Sequence, residues 1–150
     1  MNEIIFRRAN IDDVEGIIDL CNENFGDNTN YEYAKSVFKN TMTDENQIYL
    51  IGIMDNKIVA HTKITIIPTM FKGMETYAII NHVCVKLEYR RHNIATKMLD
   101  EVAKICKEKK AVAIKLWSMN FREAAHACYK NYGFRVDDAA FFTKELIASK

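Results

Sequence analysis

Residues 76–99 read TYAIINHVCVKLEYRRHNIATKML. The first ten, TYAIINHVCV (76–85), are apolar on both faces, which predicts a central strand covered from two sides. A short charged link follows, and from Ile94 an apolar-periodic run begins. Ile94, Met98, Leu99, Val102, Ile105 and Cys106 recur at helical spacing, with Lys97, Asp100, Glu101, Lys104 and Glu108 facing away. Between strand and helix stand Arg90, Arg91 and His92. A helix start already carries partial positive charge, so cations crowded there are unfavourable unless something negative sits among them. Phosphate or pyrophosphate fits that description, because it accepts from the unpaired N–H groups of the first turn. The bland alternative is a solvated basic loop that binds nothing, and charge alone favours it.

The flanks supply the rest of the architecture. Upstream, EIIFRR (3–8) reads as a strand, and Asn10 caps a helix with Asp12 and Asp13 in its first turn. Val14, Ile17, Ile18, Cys21 and Phe25 keep helical spacing, GDNTN (26–30) is a loop, and YEYAKSVFKNTM (31–42) is a second helix. QIYLIGIM (47–54) and KIVAHTKITII (57–67) are strands around an Asp55-Asn56 hairpin turn. Downstream, AVAIKLW (111–117) is a buried strand and FREAAHACYKNY (121–132) a helix stopped by Gly133. FRVDD and AFFTKEL close the chain as short strands. No repeat or linker interrupts this order, so residues 1–150 read as one mixed α/β domain.

The totals set limits. A chain of 150 residues suits a single core, and a formal charge of +1, from 21 Lys+Arg against 20 Asp+Glu, argues against a nucleic-acid binder. The run KEKK (107–110) is simpler as helix C-terminal cations than as a nucleic-acid patch. The start, MNEIIFRRANIDD, is too charged for a signal peptide, and no apolar run is long enough to span a bilayer. The expectation is a cytoplasmic protein without a membrane partner. Cys21, Cys84, Cys106 and Cys128 form no C-x-x-C pair and read as buried free thiols. The four histidines are scattered, so no metal site is expected.

Two motifs change the balance for the basic loop. Val85-Lys-Leu-Glu-Tyr-Arg90-Arg91-His92-Asn93-Ile94-Ala95 resembles the acetyl-CoA signature of the GNAT family of N-acetyltransferases, Arg/Gln-x-x-Gly-x-Gly/Ala after a strand ending in Val. Tyr129-Lys-Asn-Tyr-Gly133-Phe134 resembles that family's Tyr-x-x-x-Gly-Phe, and FRRANIDDVEGIIDL (6–20) resembles its usual opening. The resemblance covers almost the whole chain. It implies the GNAT fold: a mixed sheet of about seven strands, helices on both faces, and splayed fourth and fifth strands. In the gap, pantetheine would pair with backbone around Val83, Cys84 and Val85. The pyrophosphate would lie on the N–H groups between Arg91 and Thr96, a stretch that includes His92, Asn93, Ile94 and Ala95, with Arg90 at the first motif position. Asn93 stands where the family has glycine. Asn is the next most tolerant residue of a left-handed backbone, so the loop survives at the cost of some crowding.

The resemblance also implies roles. The activity would be acetyl-CoA-dependent N-acetylation of a primary amine on a small molecule or protein, by direct attack in a ternary complex, with no metal. Tyr129 matches the general acid for the departing thiolate, and Asn120 lies where relatives often place an Asn on the pantetheine. The usual base, a Glu four residues before Val85, is Asn81 here. Strand alternation puts the adjacent His82 on the opposite face. Glu75, or a carboxylate of the 23–32 segment acting through water, is the other option. The acceptor is expected between the first two helices and the strand 3–4 connection, where Glu23, Asp27, Glu32, Tyr31 and Tyr33 suit a cationic amine. Without a base, the competing reading is a catalytically weak acyl-CoA-binding sensor or accessory module. Homodimers are common among relatives, although no segment here demands one.

Overall fold

The computed structural model describes residues 3–90 and 92–147. Along the chain run β1 (Ile5–Arg8), a 3-10 turn (Ile11–Asp13), α1 (Val14–Phe25), α2 (Tyr31–Thr41), β2 (Gln47–Met54) and β3 (Lys57–Ile67). Then follow β4 (Tyr77–Val85), a second 3-10 turn (Leu87–Tyr89), α3 (Ile94–Glu108), β5 (Ile114–Lys115) and α4 (Glu123–Tyr132). Two compact units divide the chain, Met1–Ser118 and Met119–Lys150.

In the first unit the strands form one sheet in sequence order, antiparallel from β1 to β4 and parallel between β4 and β5. Local chemistry explains the joints. The Asn10 side chain accepts from Asp12 N–H, and Asp13 accepts from Asn10 N–H at 2.8 Å. This reciprocal cap closes the 3-10 turn ahead of α1, whereas the sequence placed Asn10 at the start of the helix itself. Asp55 and Asn56 both sit at positive φ, 55° and 60°, which suits a tight hairpin turn.

The register assigns the faces. Tyr49, Lys63 and His61 share one face, where Tyr49 meets Phe38 of α2 at 5.0 Å between ring centroids. Cys84, opposite His61, approaches Cys21 of α1 there, their Sγ atoms 3.5 Å apart and unbonded. Leu50, Ile64 and Ile80, each at most 1% exposed, belong to the other face. α3 packs on β3 and β4 with Met98, Leu99 and Val102 equally buried. Burying each such side chain contributes about 1.5–3 kcal/mol. The stripe read from the sequence on 94–106 is therefore the core face of α3.

Among the described residues five strands form where about seven were expected. β5 covers two residues of the 111–117 run, and among the described residues 134–147 no strand occurs. Strand propensity in FRVDD and AFFTKEL counts only where a partner edge is available, because the ladder is non-local. β4 also departs from a doubly buried strand: Ala78, Ile80 and Cys84 are buried, but Tyr77 and Ile79 are only half-buried. No helix of the described residues is long and apolar enough to cross a membrane.

In the second unit, α4 ends at Gly133, whose φ of 123° lies in the region that favours glycine. Gly133 N–H donates to Tyr129 O at 3.1 Å and Phe134 N–H to the same carbonyl at 2.9 Å. The expected stop is therefore in place.

Candidate cofactor site

β4 keeps β3 along one edge but runs beside β5 only at its start. Its pairing with β5 consists of Ala78 opposite Ile114 and Ile79 opposite Lys115. Ala78 N–H to Ala113 O, 2.9 Å, and Val112 N–H to Thr76 O, 2.8 Å, extend the junction only backwards. From Ile80 to Val85 no β5 residue lies across from β4. That length of strand includes Val83, Cys84 and Val85, and it leads into the basic loop.

A β-bulge sits within the same stretch. Lys63 is opposite Asn81 and His61 opposite Cys84, so the single residue Thr62 faces both His82 and Val83. His82 carries the strain, with φ 57°. Thr62 Oγ1 donates to Asn81 O at 2.9 Å, and Cys84 Sγ to His82 O at 3.2 Å, which fixes the carbonyls on either side. The bulge corrects the alternation read from sequence. His82 does not oppose Asn81 across the sheet: its ring lies edge-on to Phe25 of α1, centroids 6.0 Å apart.

The loop after β4 is tied down at several points. Lys86 N–H donates to Val59 O at 2.7 Å, and Lys86 Nζ pairs with Glu23 at 3.3 Å. Tyr89 donates to Asp55 at 3.1 Å. Arg90 reaches back, with Nε to Val85 O at 3.2 Å and Nη2 to Asn24 Oδ1 at 2.8 Å. Expected as an anion ligand, Arg90 here braces the loop against β4 and α1. Arg91 lies outside the described residues. His92 is exposed.

Asn93 precedes α3 at φ 60°, ψ 23°, the left-handed conformation that Gly and then Asn tolerate best. Its side chain makes no capping bond, and no acidic residue occupies the first turn of α3. Ile94 is buried, Ala95 half-buried and Thr96 exposed, so Ile94 anchors a helix start whose leading N–H groups have no intrahelical partner.

Asn120 and Tyr129 belong to the second unit. Asn120 lies in the turn before α4, and Tyr129, on α4, contacts Phe134 at 5.8 Å between ring centroids.

The acceptor carboxylates are partly committed. Glu23 pairs with Lys86, and Tyr31 donates to Asp19 at 2.5 Å, which raises the Tyr31 phenol above its usual range. The β3–β4 connection is displaced from this region. It begins at the Ile67–Tyr77 pair, eight residues along β4 from Val85, or about 26 Å at strand rise. The end of α1, by contrast, meets the loop through Glu23 and Asn24. Sequence reasoning missed Thr62, Asn24 and Phe25, none of which carries a motif.

Of the other titratable groups, His61 is buried and hydrogen-bonded to Leu50 O at 2.9 Å, and burial pushes it down to about 4. Burial raises the Cys106 thiol to about 11. The hydrogen-bond contact with Cys84 lowers the Cys21 thiol. Among the described residues no group of three or more His, Cys, Asp or Glu could hold a metal ion.

A family model described as "Acetyltransferase (GNAT) domain" matches residues 5–136. No curated protein matches the chain by sequence. Among solved structures, a GNAT family acetyltransferase from Staphylococcus aureus is 26% identical with a TM-score of 0.75, covering 97% of this chain and 100% of its own. A predicted acetyltransferase from Clostridium acetobutylicum, solved with acetyl-CoA, is 22% identical with a TM-score of 0.77, over 95% and 96% of the two chains. Glucosamine-6-phosphate N-acetyltransferase from Arabidopsis thaliana is 15% identical with a TM-score of 0.80, over 97% and 99%.

Proposed function

This chain belongs to the GNAT family of acetyltransferases, and from that premise we propose that it transfers the acetyl group of acetyl-CoA to a primary amine of a small molecule or protein, by direct attack in a ternary complex. In this reading it is a cytoplasmic enzyme, with residues 1–150 acting as one catalytic domain. The observation that carries the proposal is the length of β4 from Ile80 to Val85, which pairs with β3 but not with β5, running into a helix whose start is set by left-handed Asn93. The acetyl-CoA bound to the Clostridium acetobutylicum relative supports the same ligand here.

Each residue then has a task. Val83, Cys84 and Val85 offer backbone groups to the pantetheine, as an added strand would. The N–H groups of residues 91–96 cradle the pyrophosphate, with Arg91 adding charge, His92 a ring N–H, and Arg90 holding the loop in shape. Asn120 contacts the pantetheine arm. A backbone N–H near Val85 stabilises the oxyanion that develops as the amine attacks. The Tyr129 hydroxyl gives its proton to the departing thiolate.

Calorimetry with acetyl-CoA tests the cradle. The expected affinity is micromolar, about −8 kcal/mol, and it collapses with acetyl-pantetheine, which lacks the pyrophosphate. Undetectable binding would sink the proposal. Tyr129→Phe should leave acetyl-CoA affinity alone and slow thiol release at least about 100-fold, whereas an unchanged rate would remove Tyr129 from the mechanism.

A further inference from the structure

An ammonium acceptor must lose a proton before it attacks, and Asn81 has no titratable atom with which to take it. We propose that His82 takes the proton from the acceptor amine, an inference that rests on the acetyltransferase reading. His82 is the bulged residue of β4, and its side chain is exposed while Ile80 and Cys84 on either side are at most 1% exposed. The ring stands edge-on to Phe25, the last residue of α1, which orients it without occupying its nitrogens. The backbone there is strained and pinned by the bonds from Thr62 and Cys84, and strain of this kind concentrates at functional positions. The residue also lies on the part of β4 that no β5 residue covers.

Most alternatives around it are spent or remote, Asp27, close enough to act on Cys21, being the carboxylate that remains. His61, on β3 opposite Cys84, is fully buried, donates to Leu50 O and is held neutral down to about 4. On α1, Cys21 contacts Cys84 and Glu23 is paired with Lys86. Tyr31 donates to Asp19. Glu75 precedes β4 in the β3–β4 connection, at the end of the strand away from Val85.

The proton balance closes. One nitrogen of His82 takes a proton from the ammonium, and the freed lone pair forms the C–N bond at the thioester carbonyl. As the C–S bond breaks, Tyr129 gives its proton to the thiolate. The second nitrogen proton restores Tyr129 through water, and His82 passes its own proton to solvent.

His82→Asn is the test variant, since Asn tolerates positive φ and keeps the bulge while removing the base; His82→Gln serves as a second. Both would be assayed with a panel of primary amines across about pH 5.5 to 9, alongside acetyl-CoA calorimetry. The expected result is a kcat about 100-fold lower near neutrality with unchanged acetyl-CoA affinity. The fall in rate on the acidic side should move to higher pH, with rate returning only where the amine deprotonates unaided. A structural role would move affinity or stability and leave the profile's shape intact. Variant rates within about threefold of the parent, with the same profile, overturn this proposal alone. A parent protein that binds no acetyl-CoA, or acetylates no amine of the panel, overturns the acetyltransferase reading and the role of His82 with it.

Discussion

Asn93 occupies a helix-cap position in an unusual backbone state, and substitutions there separate two kinds of cap. An ordinary N-cap is extended and uses its side chain to accept from the first turn, so Ser replaces Asn at no loss. Asn93 instead sits at φ 60°, ψ 23°, and its side chain caps nothing. Ser and Ala then meet the same Cβ–carbonyl conflict, which costs about 1 kcal/mol more than Asn pays. In a chain of 150 residues that corresponds to a fall of about 2–4 °C in Tm. Gly removes the conflict, but the unfolded chain gains freedom of similar size, so Asn93→Gly should stay within about 0.5 kcal/mol of the parent. Urea unfolding followed by circular dichroism resolves these differences. The expected order is Gly equal to Asn, with Ser and Ala lower together. Ser matching Asn while Ala falls would mean that the side chain does cap α3, and the signature reading of residues 90–95 would lose its structural basis. On the proposed placement of the pyrophosphate, Asn93→Gly should also tighten acetyl-CoA binding, because it removes a Cβ from that cradle.

Two further outcomes follow from the core. His61 is held neutral down to about 4 against an ordinary value of 6.5, so the unfolded chain takes up its proton first as the pH falls. Its stabilising contribution is complete above pH 6.5 and is lost between there and about 4. The loss is about 3 kcal/mol in urea unfolding, and His61→Gln should flatten that slope; a parent slope no steeper than the variant's would refute the assignment. Gly52→Ala should destabilise by about 1–3 kcal/mol, since the new Cβ would lie 2.8 Å from Phe6 Cε1 and 3.2 Å from the Ala60 Cβ, and an unchanged denaturation midpoint would contradict that packing.

Much of the fold was legible because it is local. The α3 stripe, the Asp55-Asn56 hairpin, the Gly133 stop and the left-handed role of Asn93 all follow from residue type and spacing over a few positions. Features that depend on a distant partner were not legible. β5 shrinks to two residues because its length is set by how far it runs beside β4, which AVAIKLW cannot encode alone. The same holds for FRVDD and AFFTKEL, whose composition suits a strand that no described partner edge completes. Arg90 shows the limit from another side: the motif supplies the residue, but its bonds to Val85 O and Asn24 depend on α1 coming to rest beside β4.

The bulge at His82 is the sharpest case, because one unseen residue inverts a functional deduction. Alternation along NHVCV sends Asn81 and His82 to opposite faces, and on that count His82 is removed from the reaction. A bulge adds one residue to one strand and resets the alternation beyond it. Nothing in NHVCV marks it, since the usual sign of positive φ is glycine and His82 is not glycine. The feature beside it lies on β3, where the Thr62 hydroxyl donates to the Asn81 carbonyl across the widened pair, a candidate cause of the bulge. Thr62→Val therefore removes the hydroxyl at nearly constant volume and tests that cause. If Thr62 holds the bulge, the variant should lose about 1–2 kcal/mol of stability and impair turnover with acetyl-CoA affinity largely retained. A stable, fully active Thr62→Val protein would mean that the bulge is held by the chain's own packing, and the link from β3 to His82 would fall.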